Sequence, residues 1–199
     1  MYELHRTILH HFLIPMRSTP PPMIPLLAQI SFDLFQTIDF DLSTISASVK
    51  ALAKLGRSSF LSSDSIPSSP LERFVLSVFN FHTKRLNLRV PIGAGAELWS
   101  QRLNIPARDF VPWHRDKDES AFASNPSSPP RHPTVSTVTY LNDNESAATF
   151  VFGENNALAV FGREGEHLAF DGRMLHGVVR VGEGKQKTKR RRLECARSQ

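Results

Sequence analysis

A chain of 199 residues with 40% hydrophobic and 22% charged residues has the make-up of an ordinary globular domain and the length to bury a real core. Its net charge of +5 is local: residues 183–199 hold seven Lys and Arg against two Glu, and the remainder carries 17 residues of each sign, so nucleic acid is excluded as a general partner and only the basic tail Lys185–Arg192 is a candidate contact or nuclear-localisation signal. No apolar run approaches the ~20 residues of a membrane span, and the single Cys195 cannot form an internal disulfide, which fits a cytoplasmic or nuclear compartment.

Residues 1–25 combine Arg6, Arg17, three histidines and the run Pro20-Pro21-Pro22. They read as a poorly ordered or loosely packed N-terminal arm, with an organelle-targeting peptide as the alternative. Residues 26–90 read as a mostly helical support region. Residues 26–40 alternate too irregularly to classify. Ile45, Val49, Leu52 and Leu55 then fall near helical spacing, with Ser43 or Thr44 as cap and Gly56 as stop. Residues 58–70, rich in Ser and Pro, predict a loop. From Pro70 to about Arg85, Leu71, Phe74, Val75, Val78, Phe79 and His82 recur at steps of three and four, which predicts an amphipathic helix with His82 packed in the core rather than ligating.

Residues 91–192 change to short strands. Glu97–Leu103, Asp109–His114, Thr134–Leu141, Ala148–Phe152, Ala157–Phe161, His167–Phe170 and Leu175–Val181 are separated by turn-forming Asn, Asp and Gly. About seven strands spaced in this way predict a β-sandwich or barrel, making the whole a mainly β protein with N-terminal helices, of the α+β class. The proline-rich stretch 120–133 is read as a loop at the mouth of that scaffold, where substrates are usually met. Residues 193–199 are a C-terminal tail.

The chemistry-bearing stretch is Val111-Pro112-Trp113-His114-Arg115-Asp116. Residues two apart on a strand share a face, so His114 and Asp116 can converge as an imidazole and a carboxylate on a divalent metal. The third candidate is His176, between an Asp171-Gly172 turn and a second apolar strand, and the 62 residues separating it from His114 allow several strands to run out and back. Two histidines and one carboxylate on one side of an ion leave its other positions open, which suits non-haem Fe(II) in oxygenases. Asp118 is a conceivable substitute ligand. Arg115, Lys117, Asp118 and Glu119 read as a solvated mouth, His132 and His167 as structural, and Trp99 and Trp113 as core or pocket-lining.

Together, the His-x-Asp pair, the interval His132-Pro133-Thr134-Val135-Ser136-Thr137-Val138-Thr139-Tyr140-Leu141, and Phe170-Asp171-Gly172-Arg173-Met174-Leu175-His176-Gly177 resemble the iron- and 2-oxoglutarate-dependent dioxygenases, in their prolyl-hydroxylase-like branch. The resemblance covers about half the chain, from Ala96 to Arg192. It implies a double-stranded β-helix (a jelly roll, or cupin-like barrel) and an enzyme hydroxylating a protein side chain or small metabolite. It implies Fe(II) held by His114, Asp116 and His176, 2-oxoglutarate and dioxygen as cosubstrates, and ascorbate as an accessory reductant. Tyr140 would hydrogen-bond the far carboxylate of 2-oxoglutarate, and a basic residue after the distal histidine, Arg190 or Arg192, would anchor it.

The chain departs from that family pattern where Leu193-Glu194-Cys195-Ala196-Arg197-Ser198-Gln199 stands in place of a final apolar strand. A catalytically impaired metal-binding β-module is therefore the second reading. A scaffold whose functional part is the basic tail is the third.

Overall fold

Every position of the segment Ser136–Tyr140 is buried, which a strand allows only when both of its faces are covered. In the computed structural model, which describes residues 8–12, 29–31, 40–54, 59–101, 111–143 and 147–180, that segment lies inside a sheet packed on both sides. The strands are β1 (Ile8–Phe12), β2 (Gln29–Ser31), β3 (Ser59–Ser62), β4 (Gly95–Gln101), β5 (Val111–His114), β6 (Ser136–Tyr140), β7 (Ala147–Phe152), β8 (Ala157–Phe161), β9 (His167–Phe170) and β10 (Leu175–Arg180). One sheet has six strands in the order β2-β9-β6-β1-β4-β3, and the other four in the order β5-β10-β7-β8. Every pairing is antiparallel. The helices are α1 (Leu42–Lys54), α2 (Pro70–Arg85) and the short α3 (Glu119–Ser124).

The expected mainly β, α+β class is thus observed. The described strands form two separate sheets, and hydrogen bonding does not close them into a barrel. Pairing in the second half is nested: β7 with β8, β6 with β9 outside them, β5 with β10 outside those. Successive pairs fall in alternate sheets, so β5 and β10, far apart in sequence, become neighbours.

The alternation of β6 and β9 separates two cores. Val138, Tyr140, Leu168 and Phe170 meet Val151, Val160 and Val178 of the four-stranded sheet. On the opposite face, Val135 and Ala169 meet Ile45, Val49, Phe74 and Val78 of α1 and α2. His82 of α2 lies in this second layer as expected, 4% exposed, with its Nε2 2.9 Å from Nε2 of the buried His167. His167 Nδ1 is in turn 2.8 Å from Thr139 Oγ1. Both histidines are buried in this layer and paired with each other.

The expected helix from Pro70 to Arg85 is observed over those residues. Its first turn is closed by a reciprocal cap in which Ser69 Oγ accepts from the Glu72 amide and the Glu72 carboxylate accepts from the Ser69 amide. α1 is capped by Asp41 rather than by Ser43 or Thr44. The Asp41 carboxylate accepts from the amides and hydroxyls of both residues, and the Thr44 and Ser43 hydroxyls hold its pKa down at about 2.

Two readings of the N-terminal half are corrected, and one segment left open is assigned. Ile8–Phe12, placed in a loose arm, is an interior strand that pairs with both β4 and β6. Ser59–Ser62, placed in a loop, pairs with β4, and Gln29–Ser31, left unclassified, pairs with β9. Three of the six strands of the larger sheet therefore come from before residue 91, and the β-scaffold is not confined to residues 91–192. The cause is nonlocal pairing: short segments of weak intrinsic preference become strands because a partner's unpaired backbone is at hand. The stretch 120–133 likewise begins in a helical turn, because the Asp118 carboxylate accepts from the Ala121 amide at 2.8 Å and caps α3. The rest of residues 1–25 and the tail, with Arg190 and Arg192, lie outside the described residues.

Candidate metal centre

The β5–β10 ladder sets His114 directly opposite His176, and a bulge in that ladder separates this pair from Val111 opposite Val178. Each imidazole is turned by its own backbone. His114 Nδ1–H donates to the Pro112 carbonyl at 2.8 Å and His176 Nδ1–H to the Met174 carbonyl at 3.0 Å. Fixing the proton on Nδ1 leaves the Nε2 lone pair of both rings aimed at one place, the tautomer a metal ligand needs. The rings lie 4.2 Å apart, centroid to centroid.

Asp116 joins them from just beyond the end of β5, and its side chain is buried. Oδ1 is 3.5 Å from His114 Nε2 and Oδ2 is 3.5 Å from His176 Nε2. Candidate ligand atoms of the three residues all lie within 4.8 Å of one another. Bonds of about 2.1 Å to one ion put neighbouring ligand atoms roughly 3.0–3.4 Å apart, so the two His–Asp contacts at 3.5 Å are already close to the spacing a shared ion needs. A second sign is an orphan: His176 Nε2 is buried and has no hydrogen-bond partner. Such a group carries a desolvation cost unless something occupies its lone pair. Residues expected from sequence to share a metal are thus together, and the group could hold a metal ion.

Residues read as a solvated mouth make specific contacts. Arg115 is exposed, yet its Nε donates to the Arg173 carbonyl at 2.9 Å, tying the ligand pair to the turn before His176. Arg173 is itself held by the Asp171 carboxylate, whose hydrogen bonds push the guanidinium pKa up. His132 Nδ1–H donates to the Asp116 carbonyl at 2.5 Å, and Ser136 Oγ–H donates to Asp116 Oδ2 at 2.6 Å. Asp118 caps α3 instead of facing the group. Lys117 places its ammonium 3.7 Å from the centroid of the Phe122 ring.

Ser136 was not among the site residues expected from sequence. Its signal was a polar residue at an inward position of a β-branched strand, readable only once the inward face of β6 is known. Trp113 does not line the interior: it is 47% exposed on the outer face of the smaller sheet, packed edge-on against Phe150 and Phe152.

Tyr140 shares the inward face of β6 with Ser136. Its hydroxyl donates to Thr149 Oγ1 at 2.8 Å, forming a buried hydroxyl pair within the intersheet layer. Gly162 lies against the Tyr140 ring, leaving no room for a side chain there.

A scan against models of protein families, a search of curated proteins and a search of solved structures find no significant match to this chain. Among the described residues no helix is long and apolar enough to cross a membrane.

One packing detail beside the centre makes a prediction. A Cβ on Gly177 would lie 2.7 Å from the Trp113 ring and 2.8 Å from the Val111 carbonyl. Gly177→Ala should force β5 away from β10 next to His176, costing about 1–3 kcal/mol in urea unfolding. It should also weaken metal uptake in titration, whereas a variant with both properties unchanged would mean the two strands yield freely.

Proposed function

We propose that this chain is an Fe(II)- and 2-oxoglutarate-dependent dioxygenase built on a double-stranded β-helix, hydroxylating a protein side chain or a small metabolite. The observation that carries the reading is the convergence of His114, Asp116 and His176, both imidazoles held as Nε2 ligands. The nested pairing of β5–β10, β6–β9 and β7–β8 across two sheets supports the fold assignment. Bound there, iron and 2-oxoglutarate supply a coupled oxidation in which dioxygen converts the cosubstrate to succinate and CO2 while a substrate C–H becomes C–OH.

The protein's part is holding and shielding. His114, Asp116 and His176 would hold the ion, and Phe170, its ring centroid 4.7 Å from that of His176, would exclude water behind the distal ligand. A bound far carboxylate would take the Tyr140 hydroxyl proton in place of Thr149 Oγ1. Arg180 shares its face of β10 with His176 and Val178 and stands opposite Ala147, two residues before Thr149 on β7. By strand register, Arg180 is an anchor alternative to Arg190 or Arg192. The side chain of His114 is 33% exposed, so the substrate approaches from its side.

A metal-binding module without turnover is the second reading, and β1 favours it. In the nested order, the strand following β10 would fall between β4 and β6, and β1 occupies that position. An anchor at Arg190 or Arg192 would then not come from a strand in that place.

Anaerobic Fe(II) followed by 2-oxoglutarate should produce a weak visible charge-transfer absorption, and aerobic incubation should release succinate only with iron present. Tyr140→Phe and Arg180→Gln should each raise the KM for 2-oxoglutarate by about tenfold or more, the worth of one charge-assisted hydrogen bond. Iron that raises the melting temperature with no further effect of 2-oxoglutarate would select the module instead.

A further inference from the structure

His114 and His176 both stand on the smaller sheet, neighbours by register. Asp116 is different: it lies past the end of β5, and no ladder fixes it. The terminal torsion of an aspartate is soft, so an unsupported carboxylate could present one oxygen or both to an ion. Two contacts remove that freedom. His132 Nδ1–H holds the Asp116 main-chain carbonyl, and Ser136 Oγ–H holds Oδ2 at 2.6 Å, within the short range of a hydroxyl bonded to an ionised carboxylate. Ser136 is fully buried and belongs to β6 of the larger sheet, so this hydrogen bond ties the ligand group to both sheets.

We propose that Ser136 is a positioning residue that makes Asp116 a one-oxygen ligand and thereby sets how many metal positions stay open. The inference rests on reading the group as a metal centre. Each carboxylate oxygen stands 3.5 Å from an imidazole Nε2, Oδ1 from that of His114 and Oδ2 from that of His176, so the Ser136 proton is what separates them: shared with Oδ2, it weakens that oxygen as a donor and leaves Oδ1 as the ligating atom. Two imidazoles and one carboxylate oxygen fill three positions of a six-coordinate ion. A carboxylate binding through both oxygens would fill four. Three open positions accommodate a two-point chelating cosubstrate together with dioxygen; two do not. Ser136 therefore governs the reactivity of the centre as well as its affinity.

The test uses the full chain and Co(II), whose visible d–d bands report coordination. Ser136→Ala should bind Co(II) at least about tenfold more weakly, as loss of a ligand's supporting hydrogen bond does, with shifted bands. Ser136→Thr, which keeps the hydroxyl, should restore both affinity and spectrum. Melting of all three proteins in EDTA separates this from a general loss of fold. Should Ser136→Ala not fold, Ser136→Cys, a weak donor of similar size, takes its place in the comparison. Wild-type affinity and bands in Ser136→Ala, weaker binding with unchanged bands, or failure of the threonine to rescue would each overturn the proposal. A wild-type protein that takes up no Co(II) overturns the metal reading itself, and this inference with it.

Discussion

His176→Ala is expected to abolish the stabilisation that a divalent metal confers on this protein. A ligand at a thousand times its dissociation constant stabilises the folded state by about 4 kcal/mol, which for a chain of this size raises the melting temperature by roughly 10 °C. Wild-type protein should show that rise with Fe(II) under anaerobic conditions, or with Co(II), and lose it in EDTA. The substitution removes one of three ligand atoms and the buried Nε2 that has no other hydrogen-bond partner. The remaining pair, His114 and Asp116, lacks the opposing donor from β10. The metal-induced shift should therefore vanish at the same concentration, whereas the metal-free variant keeps most of its stability because β10 still pairs with β5 and β7. A metal-induced rise that survives in His176→Ala would place the ion elsewhere and remove the basis of the oxygenase proposal.

Acidification should destabilise the protein through a second, independent group. Burial against β9, with a smaller contribution from the nearby Arg85 charge, pushes the His82 pKa down from 6.5 to about 4. Above the unfolded value the imidazole is neutral in both states, and its contribution to stability is fully present. As pH falls below 6.5 the unfolded chain takes up a proton that the folded chain refuses, so stability declines until about pH 4 and then levels off. The full loss is about 3 kcal/mol. His82→Gln keeps a hydrogen-bonding group opposite His167 but does not titrate. Urea unfolding in EDTA between pH 4 and 8 should give a flatter profile for this variant, and the difference from wild type isolates His82 from other titrating groups. Parallel profiles would show that the His82–His167 contact accepts a proton without loss of packing.

Both predictions concern histidines, and the sequence separates their roles only in part. His82 could be assigned to a core because the steps of three and four around it are a property of one contiguous helix. His114, Asp116 and His176 could be grouped because their residue types are those of metal ligands and because the strands carrying them are strongly β-branched or apolar. Those signals are local, so they survive without coordinates. The partner of His82 was beyond reach: His167 lies 85 positions away and meets it only because α2 packs on the outer face of β9.

Composition, periodicity and residue chemistry alone determined the α+β class, the helix from Pro70 to Arg85, a β-rich second half and three candidate ligands. Tertiary structure alone decided that Ile8–Phe12 is an interior strand, that Ser59–Ser62 and Gln29–Ser31 extend the same sheet, and that Ser136 reaches Asp116. The physical reason is the range of the interactions. A helix hydrogen-bonds to itself within four residues, whereas a short strand is made by backbone partners that may come from anywhere in the chain. For β1 those partners are β4 and β6, one on each side, and neither is its neighbour in sequence.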